Sequence, residues 1–536
     1  MKTWFSLLTM IFLLSFTLAG CVSMPEHPKL VEPGKVLCDF GNDANVSENC
    51  KNITPEISKL HELHFVEFDD QGWLFDLKNE ENENAVLAKK RAPCARTDGL
   101  LREGENCFYK KTQIDHLMER LTNLIVKDDQ DLSIVLYVHG WKHDSTSEDD
   151  DVKKFRQLVA AMGRIEAAEP QPRKVVGIYV GWHGKSWLLP GITQNLSFWS
   201  RKNAALRVSN NSAKELFARL RAIQRFYNDK SLSKECGPDH FSAKHGDRCK
   251  IRTLMVGHSF GAWILYSAVS GPMIASLSAH HDRHVSKNQL AKLSSDDAKR
   301  ITEILNGEKA ERMADMVILI NPAFEGSRYE SLYQAAKLYT VTSYEPPMLV
   351  TITSTADWAT KNTFPIGRFF NTLFEFPISS EEQKVAMRRT PGNIDHYLTH
   401  RLSGVGEQQD TNSACAGWIW PKGDRFRTAP EIEKNKEIET GNDIKFFQPQ
   451  NIQNGLLVNN WKRNFCGGVT LEHFVTEKNV DNSPNSLVWN IRTDKSLIRD
   501  HNDIMQDQFV DFLRQLYADT LPRGQTQTPG LYSLGN

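Results

Sequence analysis

Three residue types scattered along the chain could together carry out acyl transfer. Ser259 sits in Gly257-His258-Ser259-Phe260-Gly261, a G-x-S-x-G pattern. An apolar run, Leu254 to Val256, reads as a buried strand entering this turn, and Ala262 to Val269 reads as a helix leaving it, stopped by Gly271-Pro272. Strand, tight turn and helix are the context in which such a serine becomes a nucleophile elbow. The turn forces Ser259 into a strained backbone conformation and lifts its hydroxyl above the sheet. The two glycines leave room where a Cβ would strike a neighbouring strand or helix.

A serine hydroxyl is a poor nucleophile near neutral pH. It needs an imidazole to take its proton and an acid to orient that imidazole. Asp357, in Ser354-Thr-Ala-Asp357-Trp358, falls just past a strand and is the favoured acid; Glu325 and Asp395 are the alternatives. Three histidines compete for the base. His501 lies between the last strand and the last helix, a position that favours it. His396 and His400, four residues apart, are expected on one face of a short helix. His258 precedes the nucleophile and should point away from the hydroxyl. His280, His281 and His284 read as a solvated cluster. An oxyanion requires two backbone N–H donors. Elbow geometry supplies Phe260. The loop after strand Ser133–Val138, His139-Gly140-Trp141, supplies the second, with Trp141 preferred and Lys142 the alternative.

These residues need a frame. From about residue 114 strands and helices alternate. Ile114–Val126 reads as a helix, Ser133–Val138 as a strand, and Val152, Phe155, Val159 and Met162 as one face of a helix. Lys174–Val180 is the next strand, and Leu216, Leu220, Ile223 and Tyr227 line the next helix. Met316–Ile320, Pro347–Thr353 and Leu487–Ile491 are further strands, before a closing helix at Phe509–Leu516. Such alternation implies an α/β fold with a mostly parallel central sheet covered on both faces. Ligands then bind beyond the carboxyl ends of the strands, where Trp141, Ser259, Asn321 and Asp357 fall. His64–Phe68 and Gly72–Leu77 alternate as strands of a small N-terminal sheet. Trp182, Trp187, Trp199 and Leu188-Leu189-Pro190-Gly191 read as an aromatic loop, either lining an acyl-chain groove or packing under a cap.

The N-terminus is a processing signal. Met1-Lys2 is followed by a short apolar run and by Leu18-Ala19-Gly20-Cys21, which resembles a bacterial lipobox. The resemblance implies cleavage before Cys21, its lipidation, and anchoring to a membrane without spanning it. Val22 in place of Asp favours the outer membrane. The other eight of nine cysteines fall in neighbouring pairs: Cys38 and Cys50, Cys94 and Cys107, Cys236 and Cys249, Cys415 and Cys466. Pairing by proximity fits an oxidising compartment, although spacing alone does not fix the connectivity. No metal motif and no cofactor motif is found. A net charge of -1 with no basic stripe gives no sign of a nucleic-acid partner.

Together Val138-His-Gly-Trp141, Gly257–Gly261, Asn321-Pro-Ala-Phe-Glu325, Ser354–Lys361 with Phe364-Pro365, and Asp500-His-Asn-Asp-Ile504 resemble a little-characterised group of α/β-hydrolase proteins loosely called esterases or lipases. The resemblance implies the α/β-hydrolase fold and the triad Ser259, Asp357 and His501, and says little about substrate; the reading adopted is cleavage of a carboxylic ester, with an ester or lipid as substrate. It covers about 130–520, without most of the interval 366–484. The implied organisation is a signal peptide at 1–20, a tether and extension at 21–113, core at 114–365, a cap or lid at 366–484, core again at 485–522, and a tail at 523–536. A serine peptidase on the same fold, or a surface lipoprotein with a non-catalytic core, are the rival readings.

Overall fold

The computed structural model describes residues 60–75, 92–93, 107–108, 111–146, 148–168, 172–184, 192–228, 250–290, 310–339, 345–366, 368, 380–404, 452–453, 456–479 and 481–518. The signal segment, Cys21, Cys38, Cys50, Cys94, Cys236, Cys249, Cys415, Trp187 and the tail lie outside them. Cys466 is disulfide-bonded, but Cys415, its expected partner, is outside the described residues.

The chain builds one large sheet from β1 (His61–Phe68), β2 (Leu132–Val138), β3 (Lys174–Trp182), β4 (Ile251–His258), β5 (Met316–Ile320), β6 (Leu349–Ser354), β7 (His400–Gly404), β8 (Lys462–Phe465), β9 (Val469–His473) and β10 (Val488–Thr493). The spatial order is β1-β3-β2-β4-β5-β6-β10-β7-β9-β8. All neighbours from β1 to β7 in this order pair in parallel; β9 and β8 add antiparallel at the far edge. The described helices are α1 (Gln113–Val126), α2 (Asp150–Ala168), α3 (Ile192–Asn210), α4 (Ser212–Asn228), α5 (Phe260–Leu290), α6 (Gly326–Leu338), α7 (Glu381–Arg388) and α8 (Asp507–Ala518). This is the expected mixed α/β class with a mostly parallel sheet.

Sheet and helices form two apolar layers. Ile134, Leu136 and Val138 face one, with α1, α4, α5 and α6. Val135 and Tyr137 face the other, with α2 and α8. All seven residues of β2 are buried, which is why its sequence reads as a continuous apolar run rather than an alternation.

Several expectations fail, each for a tertiary reason. His61–Phe68 does not start a separate N-terminal sheet; it extends the central one, residue for residue along β3 from His61↔Val175 to Phe68↔Trp182. Of Gly72–Leu77, the described residues Gly72–Phe75 contribute an isolated bridge, Phe68 to Leu74, and no strand. The helix after the elbow passes through Gly271-Pro272. Proline there removes a backbone bond and costs about 3 kcal/mol, but Met273 and Leu277 beyond it are fully buried and offset that cost. Trp182 ends β3 and Trp199 lies in α3, so neither belongs to an aromatic loop. His396 and His400 do not share a helix: His396 is in a single 3-10 turn, Asp395–Tyr397, and His400 starts β7, held by β9 and β10 on either side. Within 366–484, β7, β8 and β9 prolong the core sheet and so belong to it rather than to a cap.

Candidate functional site

The chain passes from β2 to β3 on one side and returns to β4 on the other, so the sheet order reverses at β2. The loops after β2 and β4 therefore open away from each other and leave a crevice between them. Strand register brings the candidate residues level. Val138 pairs with Gly257, His258 with Ile320, and Ile320 with Ile352. His139, Ser259 and Asn321 each follow one of these positions.

Ser259 occupies the elbow at φ 56, a left-handed conformation unusual for a residue with a Cβ. Its N–H donates to Ile320 O at 3.0 Å, and its carbonyl accepts from Ala323 N at 3.1 Å. The flanking glycines are required by close approach. A Cβ on Gly257 would lie 2.7 Å from Ala262 Cα, and one on Gly261 2.2 Å from Val138 O and 2.3 Å from His139 O. Gly261→Ala is expected to push α5 off the end of β2 and destabilise the fold by about 1–3 kcal/mol or more. A thermal melt indistinguishable from wild type would contradict this.

The structure brings the favoured triad together. Ser259 Oγ lies 2.7 Å from His501 Nε2, and His501 Nδ1 lies 2.8 Å from Asp357 Oδ2. Asp357 is fully buried. Thr360 donates to both its oxygens, from Oγ1 to Oδ2 at 2.6 Å and from N–H to Oδ1 at 3.1 Å. Burial alone would raise the Asp357 carboxyl, but the facing His501 and the Thr360 bonds outweigh it and hold the carboxyl below its ordinary value. An ionised Asp357 keeps the proton on His501 Nδ1 and leaves Nε2 open to accept from Ser259.

No protein-family model, no curated protein and no solved structure matches the chain. The chemistry of the site is therefore read from its geometry.

The alternative acids are elsewhere. Asp395 pairs with Arg492 at 2.9 Å. Glu325 is buried in an ion cluster with Lys202, Arg328 at 2.9 Å and Arg368 at 3.2 Å. Burial would raise the Glu325 carboxyl, but Lys202 and the two arginines bring it down to about 2. Its folded value is depressed, so its contribution to stability is present above about 4.5 and is lost as pH falls towards about 2. Because Glu325 ties α3 to the N-terminus of α6, Glu325→Gln should cost about 3–5 kcal/mol near pH 7, and less in acid. Melts at pH 7 and pH 3 test this; equal losses at both would refute it.

The loop after β2 lies against the nucleophile. A Cβ on Gly140 would meet Ser259 Cβ at 3.0 Å. The conformation depends on His139, which sequence reading noted only as part of a motif. Its ring stacks between Tyr179 and Trp182. Nδ1–H donates to Gly140 O at 2.9 Å, and Nε2 accepts from Trp182 N at 3.1 Å. Burial pushes this imidazole down to about 4, so it is a neutral prop. Of the two candidate donors in this loop, Lys142 is already committed: its N–H donates to Gly184 O at 3.1 Å, at φ 72. Trp141 and Phe260 are the candidate oxyanion donors, as the elbow geometry and the sequence favour. Trp141 is partly buried against the core, with Lys142 Nζ 4.6 Å from its ring centre.

The remaining histidines are not part of the triad. His400 is fully buried among Trp461, Trp489 and His473. His396 meets Tyr397 edge-on, with ring centres 4.0 Å apart. His280, His281 and His284 lie in α5. As expected, His258 does not face the hydroxyl. Its Nε2 instead reaches His501 O at 2.8 Å, and Asn321 Nδ2 reaches the same oxygen at 3.1 Å.

Proposed function

We propose that the protein is a serine hydrolase of the α/β-hydrolase kind, cleaving carboxylic esters through an acyl-enzyme on Ser259. The observation that carries this reading is the unbroken chain of short contacts from Ser259 Oγ through the His501 ring to buried Asp357. The positive φ of Ser259 at a strand-to-helix turn supports it, as does the placement of Gly140 against the nucleophile.

In this mechanism His501 Nε2 takes the hydroxyl proton as Ser259 Oγ bonds to the ester carbonyl carbon. The carbonyl oxygen becomes an oxyanion held by Phe260 N–H and Trp141 N–H. Collapse breaks the ester C–O bond, and His501 returns the proton to the leaving alkoxide. Water then enters, gives a proton to His501 and attacks the acyl carbon. The acid departs, and Ser259 recovers its proton.

The lipobox at Leu18–Cys21 and the paired cysteines support a location in a bacterial cell envelope, lipid-anchored through Cys21 at the outer membrane. An ester at or near a lipid surface is the substrate class this fits. The experiment is to express the chain from residue 22 and offer p-nitrophenyl esters of graded chain length, alongside a peptide panel and a fluorophosphonate probe. Turnover of esters with labelling at Ser259 is expected. Peptide cleavage in place of ester cleavage would convert the reading to a peptidase, and failure to label would remove the activated serine.

A further inference from the structure

Among the triad, His501 has the least support from regular structure. Between β10 and α8 the chain from 494 to 506 contains no helix or strand. Its local bonds close small turns: Leu497 and Ile498 donate to Asp494 O, and Asn502 and Asp503 donate to Asp500 Oδ1. These shape the loop but do not place it over the sheet. Buried Leu497, Ile498 and Ile504 anchor its flanks, and Ser354 Oγ holds Ile498 O at 2.7 Å. At residue 501 itself two side-chain donors converge on one carbonyl.

Resting on the Ser259–His501–Asp357 reading, we propose that His258 and Asn321 are positioning residues. They grip the main-chain oxygen of His501 and so set where its imidazole meets Ser259.

The donor assignments follow from the contacts. His258 Nε2 faces a carbonyl, which only accepts, so Nε2 carries the hydrogen. Nδ1 is buried and has no partner, and a neutral imidazole has a single N–H to give. Burial, with His501 nearby, pushes this ring well below its ordinary value, in keeping with the neutral form. The ring has no room to retreat, since a Cβ on Gly140 would lie 2.7 Å from its Nδ1. The amide of Asn321 is equally defined. Its Oδ1 accepts from Ser354 N at 3.0 Å, which turns Nδ2 towards His501 O. Asn321 sits at φ 45, with its own N–H bonded to Ile352 O at 2.8 Å.

The consequence is mechanical. The elbow touches residue 501 twice, with Ser259 Oγ on the ring and His258 on the carbonyl. The end of β5 touches it a third time through Asn321. The base must accept a proton from Ser259 and return it to a leaving group without drifting, and a misplacement of about 1 Å can cost on the order of 10²-fold in rate. A carbonyl fixed by two donors on adjacent strands sets the pivot about which the ring moves.

The test uses the chain from residue 22 with His258→Leu, which keeps bulk but has no donor, and His258→Gln, whose amide can reach the same oxygen. His258→Leu should lower kcat by about 10- to 100-fold with KM within about twofold. His258→Gln should recover most of the loss. Asn321→Ala should lose less, and the two losses should combine non-additively, because both donors serve one oxygen. The low-field imidazole proton of the His501–Asp357 pair should move in His258→Leu and return in His258→Gln. Wild-type kcat in a folded His258→Leu, or equal losses in Leu and Gln that merely track melting temperature, would overturn the proposal. Should the leucine variant not fold, Asn321→Asp keeps the acceptor for Ser354 N–H but removes the donor to His501; unchanged kcat there would likewise refute the grip. If the wild type turns over no ester and the probe does not label, the ester reading fails instead, and the low-field proton still reports on the grip.

Discussion

Ser259→Ala is expected to lower kcat for ester hydrolysis by about 10⁴- to 10⁶-fold while leaving the melt unchanged. The hydroxyl has no structural duty that alanine would forfeit. It hydrogen-bonds His501 Nε2, and the backbone bonds that hold the elbow, to Ile320 O and from Ala323 N, are main-chain. His501→Ala should cost about as much, and the double variant scarcely more, because nucleophile and base act as a unit. A residual rate above water is expected from substrate binding and the oxyanion donors alone. Ester turnover within about tenfold of wild type in Ser259→Ala would show that this serine is not the nucleophile. Loss of labelling by the phosphonate, with turnover intact, would point to a second site on the chain.

How much of this was legible in the sequence depends on how local each determinant is. The elbow was legible because its determinants are consecutive. Gly257 and Gly261 exclude a Cβ within one turn of chain, and the apolar run before them is a buried strand. Asp357 and His501 were legible at one remove, from their places after strands, since a parallel sheet brings such ends to one rim. What failed was set by distant partners. β1 reads as part of a small N-terminal sheet because the strand it pairs with begins only at Lys174. α3 shows no clear apolar face, yet Ala204, Ala205 and Val208 are fully buried. β7 is short and mostly polar in sequence, HRLSG, and is a strand because β9 and β10 flank it. His396 and His400 matched helical spacing, but the chain between them leaves a 3-10 turn for a strand whose partners lie far along the sequence. The roles of His139, His258 and Asn321 depend on where a carbonyl or a ring falls in space. The only signal for them was that each lies at a strand's carboxyl end.

Asp357→Asn should be almost as damaging as loss of the serine, and the reason lies in Thr360. Asparagine fills the same volume but has one acceptor and one donor in place of two acceptors. Placing its oxygen where Oδ2 stands would preserve the bond from His501 Nδ1–H and so the productive tautomer. The amide NH₂ would then face Thr360 N–H, which now donates to Oδ1 at 3.1 Å and cannot reverse. Two donors would oppose one another in a fully buried place, at a cost of about 1–3 kcal/mol. The flipped amide avoids this. Its oxygen serves Thr360 N–H, its NH₂ faces His501 Nδ1, and the Thr360 hydroxyl turns to accept. That arrangement satisfies every buried group but strips Nδ1 of its hydrogen and leaves Nε2–H pointing at Ser259, where a base is needed. The backbone of Thr360 therefore selects the wrong tautomer, and kcat should fall by about 10⁴-fold with KM little changed. Kinetics of the folded variant would check this, together with the loss of the low-field His501 proton. A fall of less than about tenfold would mean that Asp357 does not orient the base.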